Sequence, residues 1–167
     1  MKNKLLHKEA LMAVTSFIFS LFFIGFVVML FPAIKIEIEG ATSYKIDGLI
    51  AVFGGKAKEN HALSTGSYDF NTAAFIGYFL ALSCAILSIF AFRSKNHKKA
   101  MYIGIGILGI IAAILIFFEA KAFVAINYYG LGQTKELIKG TLSIGPWIAG
   151  ISLIISGLTS IWSAFNL

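Results

Sequence analysis

Only one cysteine, two prolines and eight acidic residues occur among the 167 residues of this chain, and each shortage closes off a class of function. A single thiol, Cys84, makes no intramolecular disulfide, and no histidine lies near it in sequence to form a metal or nucleophile pair. Carboxylates do not pair within any apolar stretch, and neither G-x-S-x-G nor H-E-x-x-H is present, so the common hydrolase and zinc-protease arrangements are missing. No Asn opens a glycosylation triplet. Arginine is nearly absent as well: Arg93 stands against thirteen lysines, a bias expected of an AT-rich coding sequence and hence of a low-GC bacterium. These gaps predict a protein that is not an enzyme and has no cofactor or resident metal.

What the chain does have is apolar length. Hydrophobic residues make up 58% and charged residues 13%, with a mean hydropathy of +0.84. Four apolar runs extend from about Ala10 to Ala33, Thr72 to Phe92, Ala100 to Ala120 and Ile144 to Phe165. Each reaches the roughly 20 residues that a helix needs to cross a hydrocarbon core ~30 Å thick. A backbone in lipid must satisfy its own hydrogen bonds, so four transmembrane helices are predicted, all in one membrane domain spanning 1–167. The first run is too long for a signal-peptide core and lacks a small-x-small cleavage site, so it reads as an uncleaved helix stopped by Pro32.

Charge placement predicts orientation. Lys2, Lys4 and Lys8 precede the first span, and Arg93, Lys95, Lys98 and Lys99 fill the link between the second and third. The other two connections balance seven lysines with seven acids. Cations are retained on the cytoplasmic side, so both termini are predicted to be cytoplasmic, in a cell membrane. The net charge of +6 then serves topology and anionic lipid, not nucleic acid.

Between the first two spans, Ile34-Lys35-Ile36-Glu37-Ile38-Glu39 alternates strictly, and Tyr44-Lys45-Ile46-Asp47 resumes the alternation after a turn. This is the period of a half-buried strand and predicts an outer β-hairpin, with Lys35 facing Asp47 and Lys45 facing Glu37. Such exposed pairs are each worth under ~1 kcal/mol. A lone hairpin is marginal, so its Ile34, Ile36, Ile38, Tyr44 and Ile46 face must cover something. Together with Leu49, Val52 and Phe53 of the short apolar run that follows, it forms a candidate partner surface. That run fits a strand or a surface helix equally. From Lys56 to Asp69 a polar loop is predicted; His61 there has Glu59 and Asp69 nearby, but a solvated loop is the better reading than a metal site. Asp69 or Asn71 is placed to cap the second span. The second outer connection, 127–143, reads as a loop. Tyr128, Tyr129 and Trp147 suit the outer aromatic belt, and Tyr102 and Trp162 the inner one.

Within the spans, small residues recur on one stripe of each helix. Gly77 and Ala81, Gly106, Gly109 and Ala113, and Ala149, Ser152 and Ser156 are predicted packing seams, since helices in lipid associate by close approach. Cys84 lies on such a seam and reads as a packing residue. Gly104 to Gly109 spells G-x-G-x-x-G, but inside an apolar span it lacks the strand-to-helix turn that a dinucleotide site requires. Glu119 is the one acid near a span. Counting from Lys99 puts it at the outer interface beside Lys121, with the helix continuing to Ile126.

This order of elements, a span, an outer β-rich segment, and three more spans with a short basic inner turn, resembles the claudin-like tetraspan layout. The first outer segment has Gly48-Leu49-Ile50 but neither the tryptophans nor the two cysteines of claudins. With its Tyr44 to Gly54 segment, and less closely Ile144-Gly145-Pro146-Trp147 through Gly157, the chain is more similar to small four-span proteins of low-GC bacteria. The fold class expected is an all-α membrane bundle of four helices with a small extracellular β-hairpin or sheet. The function expected is that of an accessory or scaffolding partner of membrane or envelope components, with a membrane-protein partner or a second copy and no nucleic acid. A channel or transporter for an uncharged or lipidic solute, lined by Ser152, Ser156, Ser160 and Tyr78, is the alternative. An immunity-type membrane protein is another.

Overall fold

The computed structural model describes residues 2–36, 44–56, 67–94, 96–121, 124–129, 132–137 and 140–166. Four long helices dominate: α1 (Lys2–Val27), α3 (Thr72–Arg93), α4 (Lys98–Phe117) and α5 (Ile144–Asn166). Each contains a segment long and apolar enough to cross a membrane, at Glu9–Leu30, Thr72–Arg93, Lys98–Lys121 and Ile144–Asn166. The protein is a multi-pass membrane bundle, and its large exposed side chains, Phe17, Ile86, Phe90, Ile107, Ile151 and Leu158 among them, face outward as a bilayer solvent demands.

The helices pack in a ring, α1 against α3 and α5, and α4 against α3 and α5. Phe22, fully buried, crosses the centre of the ring to within 2.5 Å of where Gly109 would carry a Cβ, so α1 and α4 meet through one aromatic side chain. The closest seam joins α4 to α5. A Cβ on Gly106 would lie 2.6 Å from the Gly157 carbonyl oxygen, and one on Gly157 would lie 2.8 Å from that of Gly106. A Cβ on Gly77 would sit 3.1 Å from the Ala112 oxygen on α4. Gly77, Ala81, Gly106, Gly109, Ala113, Ala149 and Ser156 are all buried between helices of this one chain, as is most of Ser152. The G-x-G-x-x-G stretch runs through the middle of α4.

At one end of the bundle the connections fold into two antiparallel sheets. Strands β1 (Pro32–Ile36), β2 (Tyr44–Asp47) and β7 (Thr141–Leu142) form the first, ordered β2-β1-β7. The predicted hairpin is present, but its register pairs Lys35 with Lys45 and Pro32 with Asp47. Ile34↔Ile46, Lys35↔Lys45 and Ile36↔Tyr44 run in continuous register, so the expected cross-strand charge pairs do not form, and an irregularity between Pro32 and Ile34 offsets only the Pro32 end. The second sheet, ordered β3-β4-β5-β6, joins β3 (Gly55–Lys56), β4 (Ser67–Tyr68), β5 (Val124–Tyr129) and β6 (Gly132–Leu137).

Here the structure corrects the sequence reading in two places. First, α4 ends at Phe117 and gives way to a 3-10 turn, Glu119–Lys121, instead of continuing to Ile126. Second, the supposed loop contains the β5–β6 hairpin. The Val124 to Tyr129 run is rich in β-branched and aromatic residues and is followed by Gly130-Leu131-Gly132, which is a hairpin signal. The short apolar run after the first hairpin is a helix, α2 (Gly48–Phe53), closed by Gly54 at a φ of 73°, the left-handed conformation glycine adopts without strain.

Both sheets join the α1–α3 connection to the α4–α5 connection. β1 leaves α1 and pairs with β7, which leads into α5, and Ser143 donates its amide to Ala33 at 2.8 Å. β4 leads into α3 and pairs with β5, which follows α4. All four helix ends on this side are thereby tied together.

Candidate functional site

Helices without charged interiors still carry hydroxyls, and in lipid these need partners. Toward the end of the bundle opposite the sheets, Thr15 Oγ1 lies 2.8 Å from the Leu11 carbonyl oxygen and 2.6 Å from Tyr102 Oη. Ser160 donates to the Tyr102 carbonyl at 3.0 Å. Nearer the middle, Ser156 donates to the Ile18 carbonyl at 3.0 Å. Ser88 and Ser163 donate within their own helices, to Ala85 and Thr159 at 2.7 Å, and the Cys84 thiol sits 3.8 Å from the Ile105 oxygen. Tyr102 is therefore an interior residue and not a member of an aromatic belt, whereas Trp147 and Trp162 are both exposed. The side chains of Tyr128 and Tyr129 lie outside the described set.

One buried polar side-chain atom among the described residues has no partner, Glu119 Oε1. Its position follows from the end of α4. Phe118 closes the last helical turn through its amide to Ile114, and the Lys121 amide returns to the Phe118 carbonyl at 3.0 Å. This tighter turn rotates Glu119 into the bundle, where it is 0% exposed, and leaves Lys121 in the open. The sequence count did not give the direction of this side chain, and so missed its burial.

Two residues of α3 and its cap hold Glu119. Tyr78, itself fully buried, donates its hydroxyl to Glu119 Oε2 at 3.3 Å. Asn71, seven residues earlier and so on the same helix face, donates Nδ2 to the Glu119 backbone oxygen at 3.0 Å. Its Oδ1 accepts from the Ala74 amide at 3.1 Å, the predicted cap. The Asn71 amide donates to the Val52 carbonyl of α2 at 3.0 Å. Asn71 thus joins three elements, the surface helix, the start of α3 and the turn after α4.

No family model, curated protein or solved structure matches the chain.

Of the described side chains of the candidate partner surface, only Leu49 and Phe53 are exposed. Ile34, Ile36, Ile46 and Val52 are buried, because the apolar face of the first sheet and the inner face of α2 cover the helix ends. Ile38 and His61 lie outside the described residues, and of Tyr44 the backbone alone is described. Phe53 begins a chain of aromatic contacts through Phe75 to Phe79 and Phe26, with Phe70 also against Phe75, so α2 lies against the flank of α3. Tyr68 of β4 is buried, and burial pushes its phenol up from its ordinary range.

The flanks also hold two grooves. One, of about 280 Å³, lies between α1 and α3 and is lined by Thr15, Ser16, Phe19, Ser20, Ile89 and Phe92 as well as Met12. The other, of about 390 Å³, is lined by Phe23, Ile24, Val27, Val28, Phe31 and Ile148. Neither brings titratable groups together. Among the described residues no three His, Cys, Asp or Glu side chains converge as metal ligands.

Proposed function

We propose that this chain is a non-enzymatic membrane protein whose four-helix bundle carries a fixed β-platform on one side of the bilayer and acts as an accessory or scaffolding partner of other membrane components. The observation that carries this reading is the double cross-link between the two outer connections, β1 to β7 and β4 to β5. Such bracing fixes the helix ends relative to one another, as a docking platform needs and a gated conduit does not. The interior supports the same reading. Ser156 and Ser160 spend their hydroxyl protons on backbone carbonyls of α1 and α4, and Gly106 and Gly157 bring α4 and α5 into backbone contact, which leaves little for a polar lining.

The basic link at Arg93 to Lys99 and the lysines in the first turns of α1, ahead of its membrane-crossing segment, orient the sheets to the outside and both termini to the cytoplasm of a cell membrane. The span, β-segment and three-span order resembles the claudin-like layout, although the claudin Trp and Cys residues are lacking. Leu49 and Phe53, exposed on α2, are the part of the platform offered to a partner.

Mild-detergent affinity purification from native membranes, followed by mass spectrometry, tests this reading. A stoichiometric companion that is lost with Leu49→Asp and Phe53→Asp, while insertion is retained, supports it. A protein that emerges alone, and that passes an uncharged solute across liposomes, replaces it with the transporter reading. Survival of host cells against a membrane-active peptide only when the chain is present would favour the immunity-type role.

A further inference from the structure

The turn after α4 does something that a structural helix end has no need to do. It drives a carboxyl group into an apolar interior and gives it one hydrogen-bond donor. Among the described residues, Glu119 Oε1 is the one fully enclosed side-chain oxygen or nitrogen without a hydrogen-bond partner. A carboxylate held this way has lost its water without gaining a counter-ion, which is a large penalty in a low-dielectric interior.

The charged and titratable groups on the elements around it offer no relief. On α3 the residue that faces it is Tyr78, with Arg93 at the far end. The cations of α4, Lys98 and Lys99, begin that helix, about 20 residues and hence ~30 Å away. Lys121, in the same turn, points outward with its Nζ 5.1 Å over the Phe118 ring. β7 contributes Thr141 and Leu142, and α5 has no ionisable side chain.

The one donor is held loosely: Tyr78 Oη stands 3.3 Å from Oε2, beyond the usual range of an O–H···O bond. Two side-chain oxygens are also too few for a hard metal cation, which takes six or more. The cation that needs only one of them is the proton.

We propose that Glu119 is a reversible proton-binding site at the sheet end of the bundle, with Tyr78 as its positioning residue. Uptake transfers a proton from hydronium to a carboxylate oxygen, forming an O–H bond and leaving water; release is the reverse and places a negative charge inside the bundle. That charge sits directly on the turn whose backbone oxygen Asn71 holds. Asn71 also holds the start of α3 and the carbonyl of Val52 in α2. Release of the proton therefore loosens the joint between α2, α3 and the end of α4. This site goes beyond the accessory-protein reading and stands or falls independently of it.

Infrared difference spectroscopy of the full chain in liposomes tests the proposal. In wild type a protonated-carboxyl C=O band is expected to persist at neutral pH, shift in deuterated buffer and disappear as pH is raised. Glu119→Gln removes the band, and Tyr78→Phe moves its frequency and its titration midpoint. Where Glu119→Gln does not fold, carbon-13 glutamate in the wild-type chain shifts the same band and assigns it to a glutamate. A neutral-pH spectrum without a protonated-carboxyl band, or a band that survives Glu119→Gln and ignores labelled glutamate, overturns the proposal.

Discussion

At the scale of single residues, Asn71 and Tyr68 show how much one side chain carries. Asn71→Ala removes the cap of α3 and leaves the Glu119 carbonyl without its donor; the loss is expected to be about 2 kcal/mol, read as a lower melting temperature in detergent. Asn71→Asp, which keeps the capping oxygen, should recover part of it. Tyr68 gives a pH dependence with a definite sign. Its phenol is held protonated by burial, so the folded protein binds that proton more tightly than the unfolded chain does. The associated stability is complete below the ordinary tyrosine value near 10 and is lost as pH rises through the higher folded-state value. Hydrogen exchange at the backbone of β3 and β4 should accelerate there before the helices respond, and Tyr68→Phe should abolish the alkaline step. The Asn71 cap was legible from sequence, because a polar residue stood immediately before an apolar run. The burial of Glu119 was not, since one extra or missing residue in the last turn of α4 decides which way the side chain faces.

Helix packing sets the next scale. Glycine at the α4–α5 seam permits backbone contact, whereas Gly104 of the same helix meets nothing and merely weakens the helix. Gly106→Val places a branched side chain against the Gly157 oxygen and Ile161 and is expected to cost about 1–3 kcal/mol, visible as loss of thermal stability. Gly104, two residues away, has open space where a Cβ would go; Gly104→Ala should stabilise by up to ~1 kcal/mol, through helix propensity alone. A result in which both substitutions behave alike would mean that α4 and α5 do not meet at Gly106. The spacing of small residues was visible in the sequence, but spacing cannot name the helix on the other side. Strand pairing shows the same limit. Alternation in Ile34 to Ile38 announced a strand, yet it did not give the register, in which Lys35 faces Lys45 and not an acid.

For the whole molecule, the four spans and the two sheets make one prediction that can be checked without a partner. The native Cys84 is fully buried, so cysteines added at the surface report sidedness against a silent background. In intact cells, a membrane-impermeant thiol reagent should label Lys56→Cys, at the sheet end, and leave Asn96→Cys, in the basic link, unlabelled until the membrane is opened. The reverse pattern would invert the proposed orientation. Apolar length and charge placement in the sequence alone determined that the chain has four membrane-crossing helices and where its basic link falls, because a bilayer leaves a backbone segment of about 20 apolar residues only one way to satisfy its hydrogen bonds. Tertiary structure alone decided that the α1–α3 and α4–α5 connections pair into shared sheets, that the apolar faces of β1 and α2 close over the helix ends, and that Glu119 turns inward beneath Asn71. Those outcomes depend on contacts between residues far apart in the chain, and local pattern holds no information about which distant segment will satisfy an exposed strand edge or surround a carboxyl group.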